Sequence, residues 1–423
     1  MRIAFVAQPF DSMTPPVRAG SLALWIYHVA RRCAARDHQT FVISNQGRLL
    51  SRSRTRHENV DYFFTATGLN RAINRTASTA SRLARRMGMR PPPLPSFAAG
   101  WSDAGYGIEV ARMLKRLGCD WVLMMNYSQL APIIRSIYPS CRIYLYMQCE
   151  WLTQLDRDVM RRRLQASDLV GGCSEYIRER IATAFPEYAA KCVTLNNAAF
   201  PVACDGGVER EEGRVLFVGR VSPEKGIHVL IEAFHEVLGR FPHARLHIVG
   251  STGSAPMEFL VGLSDEPQVA RLRRFYERTG TDGRDPYIVH LERAAGCELG
   301  RRIIFEGRVD HDQIAAAYRR ASVLVNPSHS ESFGMSLVEA MMHGVPVVAT
   351  RIGGMPYIVD ESETGALVEP DDPRALAGAI CWLLENPERA ARMGAAGRRR
   401  AQQRFSWDHT ADELLEQCAM DYK

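Results

Sequence analysis

At 423 residues the chain is longer than one ordinary core organises and suits two domains. Hydrophobic residues make up 46% and charged residues 24%, which excludes a fibrous or largely disordered chain, and no apolar run approaches the roughly 20 residues that cross a bilayer. The formal net charge of +6 is unevenly spread, because residues 31–90 hold 13 Arg against Asp37, Glu58 and Asp61.

In chain order, the short apolar run 1–7 stops at Gln8-Pro9 and predicts a buried strand. A signal peptide would need a longer apolar region and a small-residue cleavage site. Further strands are expected at 40–44, 121–125, 143–147, 169–171 and 192–195, and helices at 21–35, 105–117, 156–166 and 175–185. Such alternation of apolar strands with amphipathic stretches predicts a parallel sheet covered on both faces. Residues 65–101, rich in Arg, Ser and Pro and closing on Pro91-Pro92-Pro93-Leu94-Pro95, are expected as a mobile loop.

The polar, Gly-rich run 205–213 reads as a linker, after which the alternation restarts. Strands are expected at 215–219, 246–249, 303–305, 323–326 and 345–349, with helices at 226–240, 312–321, 334–343 and 373–386. Residues 252–300 exceed a simple crossover, hold a polar helix near 268–278, and are expected to insert a lid or an oligomer contact. The tail from Phe405-Ser406-Trp407-Asp408 through 411–418 reads as one more helix. Two doubly wound α/β domains with an interdomain cleft follow, and ligands in such sheets bind beyond the C-terminal strand ends. Ten cysteines without a C-x-x-C pair, and the lack of a compact His/Cys cluster, point to a reduced cytoplasmic compartment and no zinc.

The most informative stretch is 326–341, Asn-Pro-Ser-His-Ser-Glu-Ser-Phe-Gly-Met-Ser-Leu-Val-Glu-Ala-Met. A buried strand ends at Asn326-Pro327, a polar loop carries Glu331, and a helix opens at Gly334. The unpaired N–H groups of that first turn carry the positive end of the helix dipole and suit a diphosphate. Glu331 can accept sugar hydroxyls just ahead of the helix, and Glu339, on the face of Met335 and Ser336, can accept two hydroxyls of a ribose. A second strand end, Val218-Gly219-Arg220-Val221-Ser222-Pro223-Glu224-Lys225-Gly226, places the cations Arg220 and Lys225 on one loop, where they can neutralise a diphosphate leaving group.

Glu331-x7-Glu339, enclosing Phe333-Gly334 and preceded by Arg220 and Lys225, resembles the retaining glycosyltransferases of family 4, which have the GT-B fold. The resemblance continues through Ala340-Met341, Gly344-Val345-Pro346-Val347-Val348-Ala349-Thr350, Gly353-Gly354 and Gly365-Ala366-Leu367-Val368, and covers most of the second half. It implies that Glu331 binds the donor sugar, Glu339 the ribose, and Arg220 and Lys225 the diphosphate. It also implies that backbone amides of Gly334, Met335, Ser336 and Leu337 reach donor oxygens, and that the main chain of Val309 meets the base. The implied reaction moves a hexosyl residue from a UDP- or GDP-sugar to an acceptor hydroxyl with retention, in the synthesis of a glycan, a glycolipid or a glycosylated metabolite. No metal or other cofactor is expected, since the helix end and the two cations do that work. The implied domains are 1–203, which binds the acceptor and is joined by the last helix over 405–423, and 204–404, which binds the donor.

The first half departs from the family pattern. Arg18-Ala19-Gly20-Ser21 resembles the family's glycine loop with one glycine replaced, and Gly20 can still bring N–H groups to phosphates. Members commonly hold a histidine near the sugar, yet no histidine stands between His57 and His228. By position Gln148 takes its place, able to hydrogen-bond sugar hydroxyls though not to act as a base, with Glu150 close by as an alternative base. The Arg-rich segment 71–90 suits a peripheral contact with anionic lipid, an anionic acceptor, or a solvated loop, and the lipid contact would set the chain at the inner face of the membrane. Nucleic acid is not expected, because stacking aromatics are not interleaved with the basic residues. Two other readings fit the same architecture: a nucleotide-sugar epimerase, which needs an acid/base carboxylate pair in the first domain, and a catalytically weak sugar-nucleotide-binding subunit, which the missing histidine suggests.

Overall fold

Nearly continuous apolar runs, buried on both faces, form the centre of two sheets in the computed structural model. Residues 1–18, 20–45, 52–87, 95–200, 210–254, 256–264, 266–277, 283–309 and 311–420 are described. One unit holds Met1–Asn197 with Trp407–Lys423, the other Ala198–Ser406. The linker expected at 205–213 lies, up to residue 209, outside the described residues.

The first unit contributes strands β1 (Arg2–Val6), β2 (Gln39–Asn45), β3 (Ser53–His57), β4 (Val60–Thr65), β5 (Trp121–Met125), β6 (Arg142–Met147), β7 (Leu169–Gly172) and β8 (Cys192–Thr194). Their order in the sheet is β3-β4-β2-β1-β5-β6-β7-β8. All of β5 is buried, as is β6 beyond Arg142, which is why these strands read as unbroken apolar runs. Side-chain caps start several flanking helices. Asp156 accepts from the Val159 N–H at 2.9 Å and Ser174 from the Ile177 N–H at 3.3 Å, each satisfying an otherwise orphaned donor.

Two parts of the first unit differ from the sequence reading. The antiparallel pairing of β3 with β4 is hidden because Arg54 and Arg56 flank Thr55 on a charged edge strand, which blunts that edge against further pairing. Arg54 pairs with Asp61 at 2.8 Å within the basic segment, and Arg52 pairs with Glu109 at 2.6 Å, so one charge of the basic excess over 31–90 is met by an acid outside it. The loop expected over 65–101 is instead a 19-residue helix, Gly68–Arg86, for much of its length. Asn70 and Asn74 donate to Asp103 at 2.8 and 3.2 Å and tie the helix down. Its Ala and Arg residues favour helix, and it was the Ser content and the proline run that follows it that argued for a loop. Residues 88–94, with most of the proline run, lie outside the described residues.

The second unit contributes β9 (Arg214–Val218), β10 (Arg245–Val249), β11 (Ile303–Gly307), β12 (Val323–Asn326), β13 (Val347–Thr350) and β14 (Gly365–Val368), all parallel, in the order β11-β10-β9-β12-β13-β14. The segment 252–300, expected as a lid or oligomer contact, packs six of its described apolar residues, Val261, Val269, Leu272, Phe275, Tyr287 and Leu291, into this unit's own core, while Met257 and Leu299 stay exposed. Among the described residues no helix is long and apolar enough to cross a membrane.

The last helix, Trp407–Ala419, belongs to the first unit. Buried Gln417 accepts from the Tyr144 hydroxyl at 2.7 Å and donates to the Thr194 carbonyl at 2.7 Å, while Arg36 donates to Asp412 at 2.9 Å. Gln417→Ala strands a buried hydroxyl and a carbonyl, and should lower stability by about 2 kcal/mol. Urea unfolding measures this, and an unchanged midpoint would show that these bonds hold nothing.

Candidate functional site

The strand order of the second unit reverses between β9 and β12. The ladder joining them has only two pairs, Val323↔Val215 and Leu324↔Leu216, so the strands part toward their C-terminal ends. The loops that leave these ends open a crevice, where ligands of such sheets bind.

After β9 the chain makes a 3-10 turn, Pro223–Lys225, before the helix Ile227–Arg240. After β12 it runs through Pro327 to Gly334, where the helix Met335–Met342 opens without a side-chain cap. The His329 N–H donates to the Glu224 carbonyl at 2.8 Å, binding one loop to the other. Gly226 has φ +67°, and a Cβ there would stand 2.0 Å from the Pro327 carbonyl oxygen. Gly353 has φ +55°, and its Cβ would stand 1.9 Å from the carbonyl oxygen of Glu331. Neither position accommodates a larger residue without moving backbone.

This packing brings Lys225 and Glu331 together, with Nζ 2.7 Å from the carboxylate and both side chains half-buried. Arg220 donates to Glu224 at 3.1 Å, and Glu224 is itself buried. Glu339 lies on the half-buried face of its helix with Met335 and Ser336, and accepts a 2.6 Å bond from the Tyr318 hydroxyl. Burial first, then the negative charge of Glu339, push the Tyr318 hydroxyl well above its ordinary range, so it stays a donor to that carboxylate. The Ser336 hydroxyl is held by Asn326 at 3.3 Å. Gly334, Met335 and Ser336 thus form the uncapped end of a helix that follows Glu331, an arrangement able to receive a diphosphate, whereas the Leu337 N–H expected to join them donates to the Gly334 carbonyl at 3.0 Å. Val309 is half-buried just after β11.

Other residues singled out from the sequence lie in the first unit. Gly20, with φ +88°, precedes the helix Ser21–Ala35 and makes no side-chain cap, while Ala19 lies outside the described residues. Gln148 follows β6 and forms a reciprocal amide pair with Asn197, both bonds 2.8 Å, which fixes its head group. Glu150 accepts from the Tyr176 hydroxyl at 3.0 Å and pairs with Arg180 at 3.5 Å, so it is held as a charged partner.

Sequence reasoning missed Tyr318 and Glu224. Tyr318 lies on a separate helix, His311–Arg320, and nothing in the local pattern marks it. Glu224 sits inside the Arg220–Lys225 loop, and its place four residues after Arg220 was the available signal.

Comparison with known proteins bears on both units. Residues 205–400 match the family glycosyl transferases group 1. A D-inositol 3-phosphate glycosyltransferase of Segniliparus rotundus is 36% identical over 209 residues, 49% of this chain and 40% of the relative. That of Corynebacterium efficiens is 35% identical over 208 residues, 49% of this chain and 43% of the relative. This chain therefore spans about two fifths of the length of those relatives. Sucrose-phosphate synthase from Thermosynechococcus elongatus superposes with a TM-score of 0.67 at 21% identity, covering 98% of this chain and 97% of that one. Anabaena Alr3699/HepE, solved in complex with UDP and glucose, superposes with a TM-score of 0.62 at 19% identity, covering 98% of each chain. At these identities the likeness shows the fold, which is GT-B.

Gly353→Ala should destabilise the protein by about 3 kcal/mol, since the added methyl meets the Glu331 carbonyl at positive φ. Thermal unfolding tests this, and an unaltered midpoint would mean that the loop carrying Glu331 gives way freely.

Proposed function

We propose, on the premise that residues 205–400 form a glycosyl transferases group 1 domain, that this chain is a retaining glycosyltransferase of family 4. It moves a hexosyl residue from a nucleoside diphosphate sugar to an acceptor hydroxyl. The observation that carries the reading is the Lys225–Glu331 contact of 2.7 Å, set beside an uncapped helix end at the sheet's reversal point. A cation able to hold a diphosphate and a carboxylate able to hold a sugar stand next to each other there, as a donor in which the two are bonded requires.

In this reading Arg220, Lys225 and the N–H groups from Gly334 to Ser336 hold the diphosphate and stabilise the charge that grows on it as the glycosidic bond breaks. Glu331 accepts sugar hydroxyls, and Glu339, oriented by Tyr318, accepts those of the ribose. The acceptor oxygen bonds the anomeric carbon on the face the diphosphate leaves, and the acceptor proton passes to the departing phosphate oxygen. Gln148 exchanges hydrogen bonds with Asn197 and also reaches the Tyr146 hydroxyl, so it takes a sugar hydroxyl by giving up one of these bonds. Glu150 as a base would have to leave Arg180 and Tyr176, which disfavours that role. Uridine is the base we favour, because the HepE structure holds UDP and a superposable synthase from Burkholderia vietnamiensis is described as UDP-forming. The donor chemistry proposed needs no metal.

UDP should raise the thermal midpoint, by the equivalent of about 2.7 kcal/mol at 100 times its dissociation constant, and Lys225→Ala should remove most of that gain. Glu331→Gln should keep UDP binding yet slow transfer by about 100-fold, and Gln148→Ala should slow it by more than about tenfold. UDP binding without donor hydrolysis or transfer across an acceptor panel would favour a binding subunit, and no response to any nucleoside diphosphate would overturn the reading.

We also propose that the segment 71–90 meets anionic lipid. The helix Gly68–Arg86 leaves Leu83 exposed, and exposed Met87 follows it, among arginines. Flotation with anionic vesicles should carry the protein upward at low salt and less so at high salt, and absence from the vesicle fraction in both would remove the idea.

A further inference from the structure

Three segments of the second unit converge next to the loops that carry Lys225 and Glu331. His228 is the second residue of the helix Ile227–Arg240, His329 lies in the loop after β12, and Asp371 precedes the capping residue of the helix Pro373–Glu385. Each offers one ligand atom, and these atoms all lie within 4.8 Å of one another. The two imidazole rings lie nearly parallel, 17° apart in plane, with centroids separated by 5.3 Å.

His329 is fully buried, and neither of its ring nitrogens has a hydrogen-bond partner. A neutral imidazole carries a donor and an acceptor, and buried polar atoms left unmatched call for an unseen water or ion. The nearest charged atom is the Asp371 carboxylate, 3.5 Å from Nε2. That separation does not make a hydrogen bond, but it is close to the roughly 3.3 Å between neighbouring ligand atoms on a tetrahedral zinc with bonds of about 2.0 Å. On the other ring, Nδ1 of His228 lies 3.0 Å from the Tyr287 hydroxyl. The Tyr287 oxygen also accepts the His228 backbone N–H at 3.3 Å, and in the Nδ1–H tautomer, in which the ring donates to it too, the Nε2 lone pair would be free for a cation.

From this geometry we propose that His228, His329 and Asp371 bind one zinc-class divalent cation, with water completing the coordination, and that the ion pins the loop after β12 to the helix after β9. Two imidazoles and a carboxylate form a mixed nitrogen and oxygen set suited to zinc. Arg274 opposes added positive charge here, while Asp371 and Glu224 favour it. The site is structural and stands independently of the donor chemistry.

The test uses the full chain stripped with a chelator, then titrated with Zn²⁺ by calorimetry and with Co²⁺ by visible absorption. The expected result is one ion per chain, a tetrahedral-type Co²⁺ spectrum and a raised thermal midpoint. Asp371 is exposed, so Asp371→Asn should fold normally, as circular dichroism can check, yet bind zinc more than about tenfold more weakly. His228→Gln combined with Asp371→Asn should abolish binding. The proposal is overturned if the wild-type chain shows no saturable binding. It is equally overturned if the double variant retains the wild-type affinity, which would assign the ion to cysteines elsewhere.

Discussion

The approach of the loop after β9 to the loop after β12 governs the second unit. The Pro327 carbonyl oxygen fills the space beside Gly226 that any side chain would need, 2.0 Å from where a Cβ would stand, and the His329 N–H reaches the Glu224 carbonyl at 2.8 Å. Two backbones held this close fix the side chains that leave them, and Lys225 meets Glu331 because residues 226 and 327 touch. The short β9–β12 ladder then lets the strands diverge just where the charged groups emerge, so close backbone contact and an open crevice coexist.

The charges at this crevice already have partners. Lys225 holds Glu331, Arg220 is held by buried Glu224, and Glu339 accepts from Tyr318. Each contact orders a side chain ahead of any ligand and lowers what binding must spend on ordering it. The pairs are not equivalent. Glu224 stays buried and keeps Arg220 in position, whereas half-buried Lys225 and Glu331 can exchange each other for a diphosphate and a sugar hydroxyl. Such an exchange costs less than desolvating two free charges, because each group trades one partner for another.

The sequence made the strands legible where both faces are covered, as in β5 and β6, since burial on both sides demands unbroken apolar runs. It hid the hairpin of β3 and β4 and the helix Gly68–Arg86, because an edge strand and an exposed helix carry polar residues that read as loop. The compact motifs after β9 and β12 made it legible that Arg220, Lys225 and Glu331 leave neighbouring loops, with Glu339 one to two turns into the following helix. Tyr318, and the meeting of His228, His329 and Asp371, were not. Those partners come from separate segments of the chain, and only the tertiary fold brings them together.

The histidine distribution constrains how a proton can move. None stands between His57 and His228, and the two near the crevice, His228 and His329, are driven down by burial. A base whose conjugate acid titrates near 3 removes a proton from an alcohol poorly at neutral pH. Gln148 has no basic atom, and Glu150 is committed to Arg180 and Tyr176. In the proposed transfer the oxygen freed as the donor cleaves is then the best-placed acceptor for the proton. Its basicity is tempered by Arg220 and Lys225, which must stabilise the leaving group without occupying every lone pair. Glu224, which keeps Arg220 partly on a carboxylate while Lys225 is given over to the phosphate, is a physical means of keeping that balance.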